Sequence, residues 1–225
     1  IRFAFEGRFA AAAGAIVAAA VIDGLDGRIA RLLKATSRFG AEFDSLSDFL
    51  CFGVAPALVL YFWTLEAWRG FGYAPCLLFA VCAALRLARF NSALDAGPGP
   101  AYRQHFFTGV PAPAGAIIVL LPIYLALLGF PRVPGLVCVY TLGIAFLLVS
   151  TLPVLSGKKL GTRVPREMVL PVFVAVVLFV ALLVGYPWHV LSIGSILYIA
   201  ALPLGWLSYR GYAQKDALAT QAASA

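Results

Sequence analysis

The sequence predicts an all-α protein, a polytopic bundle of transmembrane helices, and three observations predict it. Of its 225 residues, 62% are hydrophobic and 12% charged, about half the charged share of an ordinary soluble domain. The mean hydropathy is +0.93, and the apolar residues come in runs of about 15 to 25, the length that crosses a bilayer core. The basic residues punctuate those runs at alternate ends, as they do in membrane proteins.

Seven spans are visible, over residues 8–31, 40–64, 72–90, 110–129, 133–155, 167–186 and 189–209. Turn residues and charges separate them: Trp68-Arg69-Gly70, Ala96-Gly97-Pro98-Gly99-Pro100, Gly129-Phe130-Pro131, Ser156-Gly157-Lys158-Lys159 and Gly185-Tyr186-Pro187. Arg28, Arg31, Lys34 and Arg38 follow the first span, and Arg86, Arg89 and Arg103 the third. Lys158, Lys159, Arg163 and Arg166 follow the fifth, and Arg210 and Lys215 the last. Thirteen of the 17 basic residues thus lie on one side, leaving Arg2, Arg8, Arg69 and Arg132 for the other. The positive-inside rule makes the richer side cytoplasmic. Residues 1–209 then form one transmembrane domain and 210–225 a cytoplasmic C-terminal tail.

The net charge of +7 comes without a dense basic tract interleaved with aromatics, so anionic lipid headgroups suit it better than nucleic acid. Cys51, Cys76, Cys82 and Cys138 form no CxxC pair, and two His are too few to suggest zinc. Reduced thiols packed in helices are the expectation. Trp63, Trp68, Trp188 and Trp206, near span ends, read as interfacial anchors.

Against this apolar background four carboxylates stand out. The first span ends Asp23-Gly24-Leu25-Asp26-Gly27-Arg28-Ile29-Ala30-Arg31, and the second opens Gly40-Ala41-Glu42-Phe43-Asp44-Ser45-Leu46-Ser47-Asp48. A carboxylate at membrane depth costs several kcal/mol unless compensated, so fold stability gives no reason to place four there. At about 100° per residue, Asp23 and Asp26 share one helix face, as do Gly40, Asp44 and Asp48 on the next. A hairpin through the basic turn at 32–39 would bring the faces together, with Gly27, Ala30 and Gly40 allowing close approach. Hard oxygen ligands with no nearby His or Cys favour Mg²⁺, Mn²⁺ or Ca²⁺ over zinc. Because Mg²⁺ sites are usually completed by substrate phosphates, a diphosphate substrate suits this one, with Arg31 as a fork donor to a phosphate oxygen. The competing reading pairs these Asp with Arg28, Arg31 and Arg38 at helix ends. It accounts for one or two acids, but not for four at i, i+3 and i, i+4 in consecutive helices.

The run Asp23-x-x-Asp26-Gly27-x-x-Ala30-Arg31-x8-Gly40-x3-Asp44-x3-Asp48 resembles the signature of the CDP-alcohol phosphatidyltransferases at all eight of its fixed positions. The resemblance implies that Asp23, Asp26 and Asp44 ligate divalent metal, as two ions, and that Asp48 adds a ligand or takes the proton of the attacking hydroxyl. It implies that Gly27, Ala30, Arg31 and Gly40 frame the CDP-lipid, and that a homodimer is to be expected. Since the chain opens on Ile1, an eighth helix is expected before it.

Three further stretches are similar to the phosphatidylserine synthase branch of that family. They are Leu85-Arg86-Leu87-Ala88-Arg89-Phe90-Asn91, Phe107-Thr108-Gly109-Val110-Pro111-Ala112-Pro113-Ala114-Gly115-Ala116, and Ser150-Thr151-Leu152-Pro153 with the following Ser156-Gly157-Lys158-Lys159. They imply CDP-diacylglycerol and L-serine as substrates. Arg86 or Arg89 would receive the serine carboxylate, and Asn91 would orient the ammonium or a phosphate. The same Arg also read as topology determinants or headgroup ligands. Glycerol 3-phosphate and inositol phosphate stay open as acceptors. A proton-coupled transporter is a more remote reading, since the later spans hold a single acid, Glu167, at the very end of one of them.

Overall fold

The computed structural model describes residues 1–32, 38–68, 70–95, 106–150, 153–155 and 166–203. Side chains are described within those stretches except at 27–32, 38, 70, 93–95, 106–108, 153–155 and 166–167. The side chains of Gly27, Ala30 and Arg31, the turn at 33–37, the basic loop at 156–165 and the tail from 204 therefore lie outside the described residues.

Helices dominate. In chain order they are α1 (Arg2–Phe5), α2 (Phe9–Leu32), α3 (Arg38–Asp48), a π-helical turn (Phe49–Val54), α4 (Ala55–Trp63), a 3₁₀ turn (Leu65–Trp68), α5 (Gly70–Asp95), α6 (Ala112–Val119), α7 (Leu121–Leu127), α8 (Pro134–Val149), α9 (Arg166–Gly185) and α10 (Pro187–Pro203). Strands β1 (Phe106–Thr108) and β2 (Pro153–Leu155) pair antiparallel, with Phe107 opposite Val154. The chain divides into two compact units, residues 1–96 with 110–150, and residues 97–109 with 151–225.

Among the described residues, each of the seven expected apolar segments contains helix, but four stretches are long and apolar enough to cross a membrane. These are Phe9–Asp26, Phe39–Trp63, Phe71–Ser92 and Met168–Gly185. Ala112–Leu127, Pro134–Val149 and Pro187–Pro203 are shorter. The 16 residues of α8 rise about 24 Å, short of a core about 30 Å thick. The segment expected over 133–155 ends early for a local reason. Pro153 has no N–H to offer the Val149 carbonyl. Arg89 Nη1 donates to that carbonyl instead, at 2.7 Å.

Proline shapes two other elements in the same way. Pro122 cannot donate to the Ile118 carbonyl, and the helix breaks at Leu120 between α6 and α7. Tyr140 Oη, from α8, donates to the Ile118 oxygen, which also accepts a backbone N–H at the end of α6. Pro56 likewise frees the Phe52 carbonyl. The wider π turn over Phe49–Val54 makes room for the proline ring directly after Asp48.

The first unit packs through small residues, as membrane helices must where lipid is as apolar as Leu. Ala12, Ala13, Ala83 and Ala116 are buried, around a core that includes Val59, Leu60, Phe79, Ile123 and Tyr124. α5 lies along α8 and the π turn, and α2 along α4, α6 and α7. A Cβ on Gly53 would stand 3.1 Å from the Ala83 Cβ, so this glycine sets how closely α5 approaches the π turn. Trp63 corrects its expected role as an interfacial anchor: it is buried, with the Arg132 guanidinium 5.3 Å over its ring. Trp68 is exposed, as an anchor would be. All four cysteines are free, with Cys76 and Cys82 buried.

Gly72 meets a harder wall, because a Cβ there would fall 1.9 Å from the Leu65 carbonyl oxygen. Backbone cannot rotate away as a side-chain tip can. Gly72→Ala is therefore expected to cost about 2 kcal/mol of stability, read as a lowered melting temperature of the detergent-solubilised chain.

Candidate active site

Two helical elements deliver the carboxylates. α2 carries Asp23 and Asp26 near its C-terminal end, and α3 carries Asp44 and Asp48. Asp23, Asp44 and Asp48 each place a carboxylate oxygen within 4.8 Å of the other two. Asp23 and Asp48 are half-buried and Asp44 is exposed, and the first two side chains are hydrogen-bonding neighbours. Asp26 is exposed and does not join the three. Placed three residues after Asp23, it sits about 60° further round the helix.

Carboxylates this close repel one another unless a proton or a cation is shared among them. Three oxygen donors, with no nitrogen or sulfur in the set, fit a hard divalent cation such as Mg²⁺ or Mn²⁺.

α5 forms the wall beside this cluster. Arg86 is part-buried, and its positive charge acts on Asp48. Asn91 Nδ2 donates to Ser45 Oγ at 3.0 Å, and Ser45 Oγ donates to the Ala41 carbonyl at 3.1 Å. This relay holds the end of α5 against α3, one residue from Asp44. Arg89, one turn beyond Arg86, is committed to the last carbonyl of α8, where a cation also suits the helix dipole. The three α5 residues singled out in the sequence thus divide: Arg86 faces the carboxylates, Asn91 and Arg89 fasten helices. Gly40, at the opening of α3, is exposed.

Ser45 is the residue that sequence reasoning missed. Its partner is 46 positions away, and a serine beside an acidic residue in a helix carries no pattern that announces it. The π turn was missed as well, although Gly53 and Pro56 close behind Asp48 are the signal that could have located it.

Residues 1–152 match the family model described as CDP-alcohol phosphatidyltransferase, and residues 167–203 match that of CDP-alcohol phosphatidyltransferase 2. A Mycobacterium leprae protein named CDP-diacylglycerol–serine O-phosphatidyltransferase is 41% identical over 225 residues, covering 96% of this chain and 74% of its own length. A Helicobacter pylori protein of the same name is 35% identical over 212 residues, covering 92% of this chain and 84% of its own. The Bacillus subtilis protein of that name is 34% identical over 139 residues, covering 61% of this chain and 71% of its own. The first family match contains all eight signature positions, and with them the carboxylate cluster. This chain belongs to the CDP-alcohol phosphatidyltransferase family.

Proposed function

We propose that the protein transfers the phosphatidyl group of CDP-diacylglycerol to L-serine, giving phosphatidylserine and CMP. The observation that carries this reading is the meeting of Asp23, Asp44 and Asp48 across two helices within the family signature. The names of the relatives and the motifs at 85–91 and 107–116 support serine as the acceptor.

In this reading Asp23, Asp44 and Asp48 hold divalent metal, and Asp26, one turn from Asp23, adds to the site when the diphosphate is present. Bound there, Mg²⁺ or Mn²⁺ would neutralise the diphosphate and stabilise the departing CMP. The serine hydroxyl forms its bond to the β-phosphorus as the bond from that phosphorus to the CMP oxygen breaks. Asp48 takes the hydroxyl proton. Asp48 is suited to this work because it is half-buried and carries the charge of Arg86 beside it. Arg86 is placed to receive the serine carboxylate, since a guanidinium fork matches carboxylate geometry. Gly27, Ala30, Arg31 and Gly40 frame the CDP moiety. Asn91 and Arg89 act at one remove, by holding α5 where Arg86 can reach.

The span-length helices and the family fit an integral membrane protein. The reading places all seven apolar helices in the membrane, with the shorter three tilting little or sitting where the bilayer thins. It places the carboxylates at the cytoplasmic face, because thirteen basic residues cluster on their side. It also includes assembly as a homodimer, which crosslinking of the full chain in membranes would reveal.

The test is an acceptor panel: CMP release from CDP-diacylglycerol with L-serine, glycerol 3-phosphate or inositol phosphate. Serine is expected to give turnover, with the phosphorylated acceptors at background. Preferred turnover with either phosphate would move the chain to another branch of the family.

A further inference from the structure

At the end of the bundle away from the carboxylates, three of the described basic residues, Arg2, Arg8 and Arg132, sit without a part in the chemistry. Between Phe9 and Asp23, α2 climbs about 21 Å, so nothing there touches the site described above. Two cavities open at that end and share a wall made of Trp63 and Arg132. One, of about 300 Å³, is lined by aliphatic and aromatic side chains, among them Leu121, Leu125, Phe130 and Leu136. The other, of about 460 Å³, reaches from Arg132 to Gly7 and Arg8 at the head of α2.

The charges around this pair of cavities are lopsided. Glu6 accepts from Arg2 at 2.8 Å and lies 3.5 Å from Arg8, so one carboxylate serves two guanidinium groups. Among the described residues, no carboxylate lies within ion-pair distance of Arg132. Its guanidinium is instead stacked over the Trp63 ring at 5.3 Å, which holds the cation in place without neutralising it. Beneath it, Phe130 and Leu136 are exposed at 60% and 69%, so the apolar cavity is open to the side. A fixed positive head above a laterally open apolar slot is complementary to one class of molecule in a bilayer.

We propose that this end of the bundle binds an anionic phospholipid, its phosphate on Arg132 with Arg8 nearby, and an acyl chain in the slot beside Leu136. The site is separate from the catalytic one, and it takes a lipid of the opposite leaflet. An aliphatic slot alone would accept any lipid. Arg132 makes it selective for negative charge, each near-surface arginine favouring an anionic lipid about fivefold.

The experiment uses the full chain in detergent, with CDP-diacylglycerol present and the acceptor omitted so that the catalytic site is filled. It is incubated with equal parts phosphatidylglycerol and phosphatidylcholine, and the lipid retained after gel filtration is quantified by mass spectrometry. The expected result is retention of phosphatidylglycerol over phosphatidylcholine by about fivefold. R132Q should erase that preference, R132K should keep it, and L136W should lower retention of phosphatidylglycerol by filling the slot. CMP release at saturating substrates should stay within about twofold of the parent in R132Q, because Arg132 is remote from the reacting atoms. Equal retention of the two lipids by the parent chain overturns the proposal, as does an undiminished preference in R132Q. If R132Q does not fold, full phosphatidylglycerol retention by L136W overturns it.

Discussion

Asp48→Asn is expected to abolish CMP release, by at least about 10³-fold, while CDP-diacylglycerol still binds. Asparagine has the size of aspartate and can still hydrogen-bond to Asp23, so the α2–α3 meeting point should persist. What it loses is the capacity to accept a proton and the negative charge that a cation would use. The remaining carboxylates, Asp23 and Asp44, together with Asp26, retain enough charge to hold the diphosphate with metal. A CMP-release assay and a binding measurement with the CDP-lipid separate the two effects. Unimpaired turnover would remove Asp48 from the chemistry, and loss of both binding and turnover would make it a ligand first.

Gly53→Leu should be the most damaging change away from the carboxylates. A Cβ at this position already meets the Ala83 Cβ and the Phe49 ring at 3.1 Å. The rest of a leucine side chain would have to displace α5 from the π turn. Overpacking of this kind costs about 3 kcal/mol. The functional consequence follows from what α5 carries. Arg86 would be pushed away from Asp48, and the Asn91–Ser45 hydrogen bond would stretch. Activity should fall by more than the loss of folded protein explains, with KM for serine rising. A normal KM in the surviving folded fraction would show that α5 does not set the acceptor site.

Much of this was legible in the order of the residues, and the reasons are physical. Apolar runs bounded by Gly, Pro and basic residues located α2, α4, α5 and α9 because the bilayer allows few alternatives to a continuous helix. The aspartate spacing located three of four carboxylates, since helical periodicity fixes angular position directly. Asp26 fell outside the three because 60° of rotation is enough to turn a short side chain outward. The short reach of α8 depended on how Pro153 ends a helix. The π turn depended on how Pro56 bends one. The fastening of α5 rests on contacts spanning 46 and 60 positions, which no local pattern encodes. Arg89 shows the consequence: its place in a motif suggested a ligand, and its side chain caps α8.

The central claim is that a cluster of carboxylates holds the divalent metal on which phosphatidyl transfer depends. The most direct measurement is CMP release by the full chain with CDP-diacylglycerol and L-serine, first in excess EDTA and then after Mg²⁺ or Mn²⁺ is restored. Background release is expected in the chelator and recovery on adding metal, with no recovery when Asp23 and Asp44 are both replaced by Asn. Full turnover in excess EDTA would contradict it.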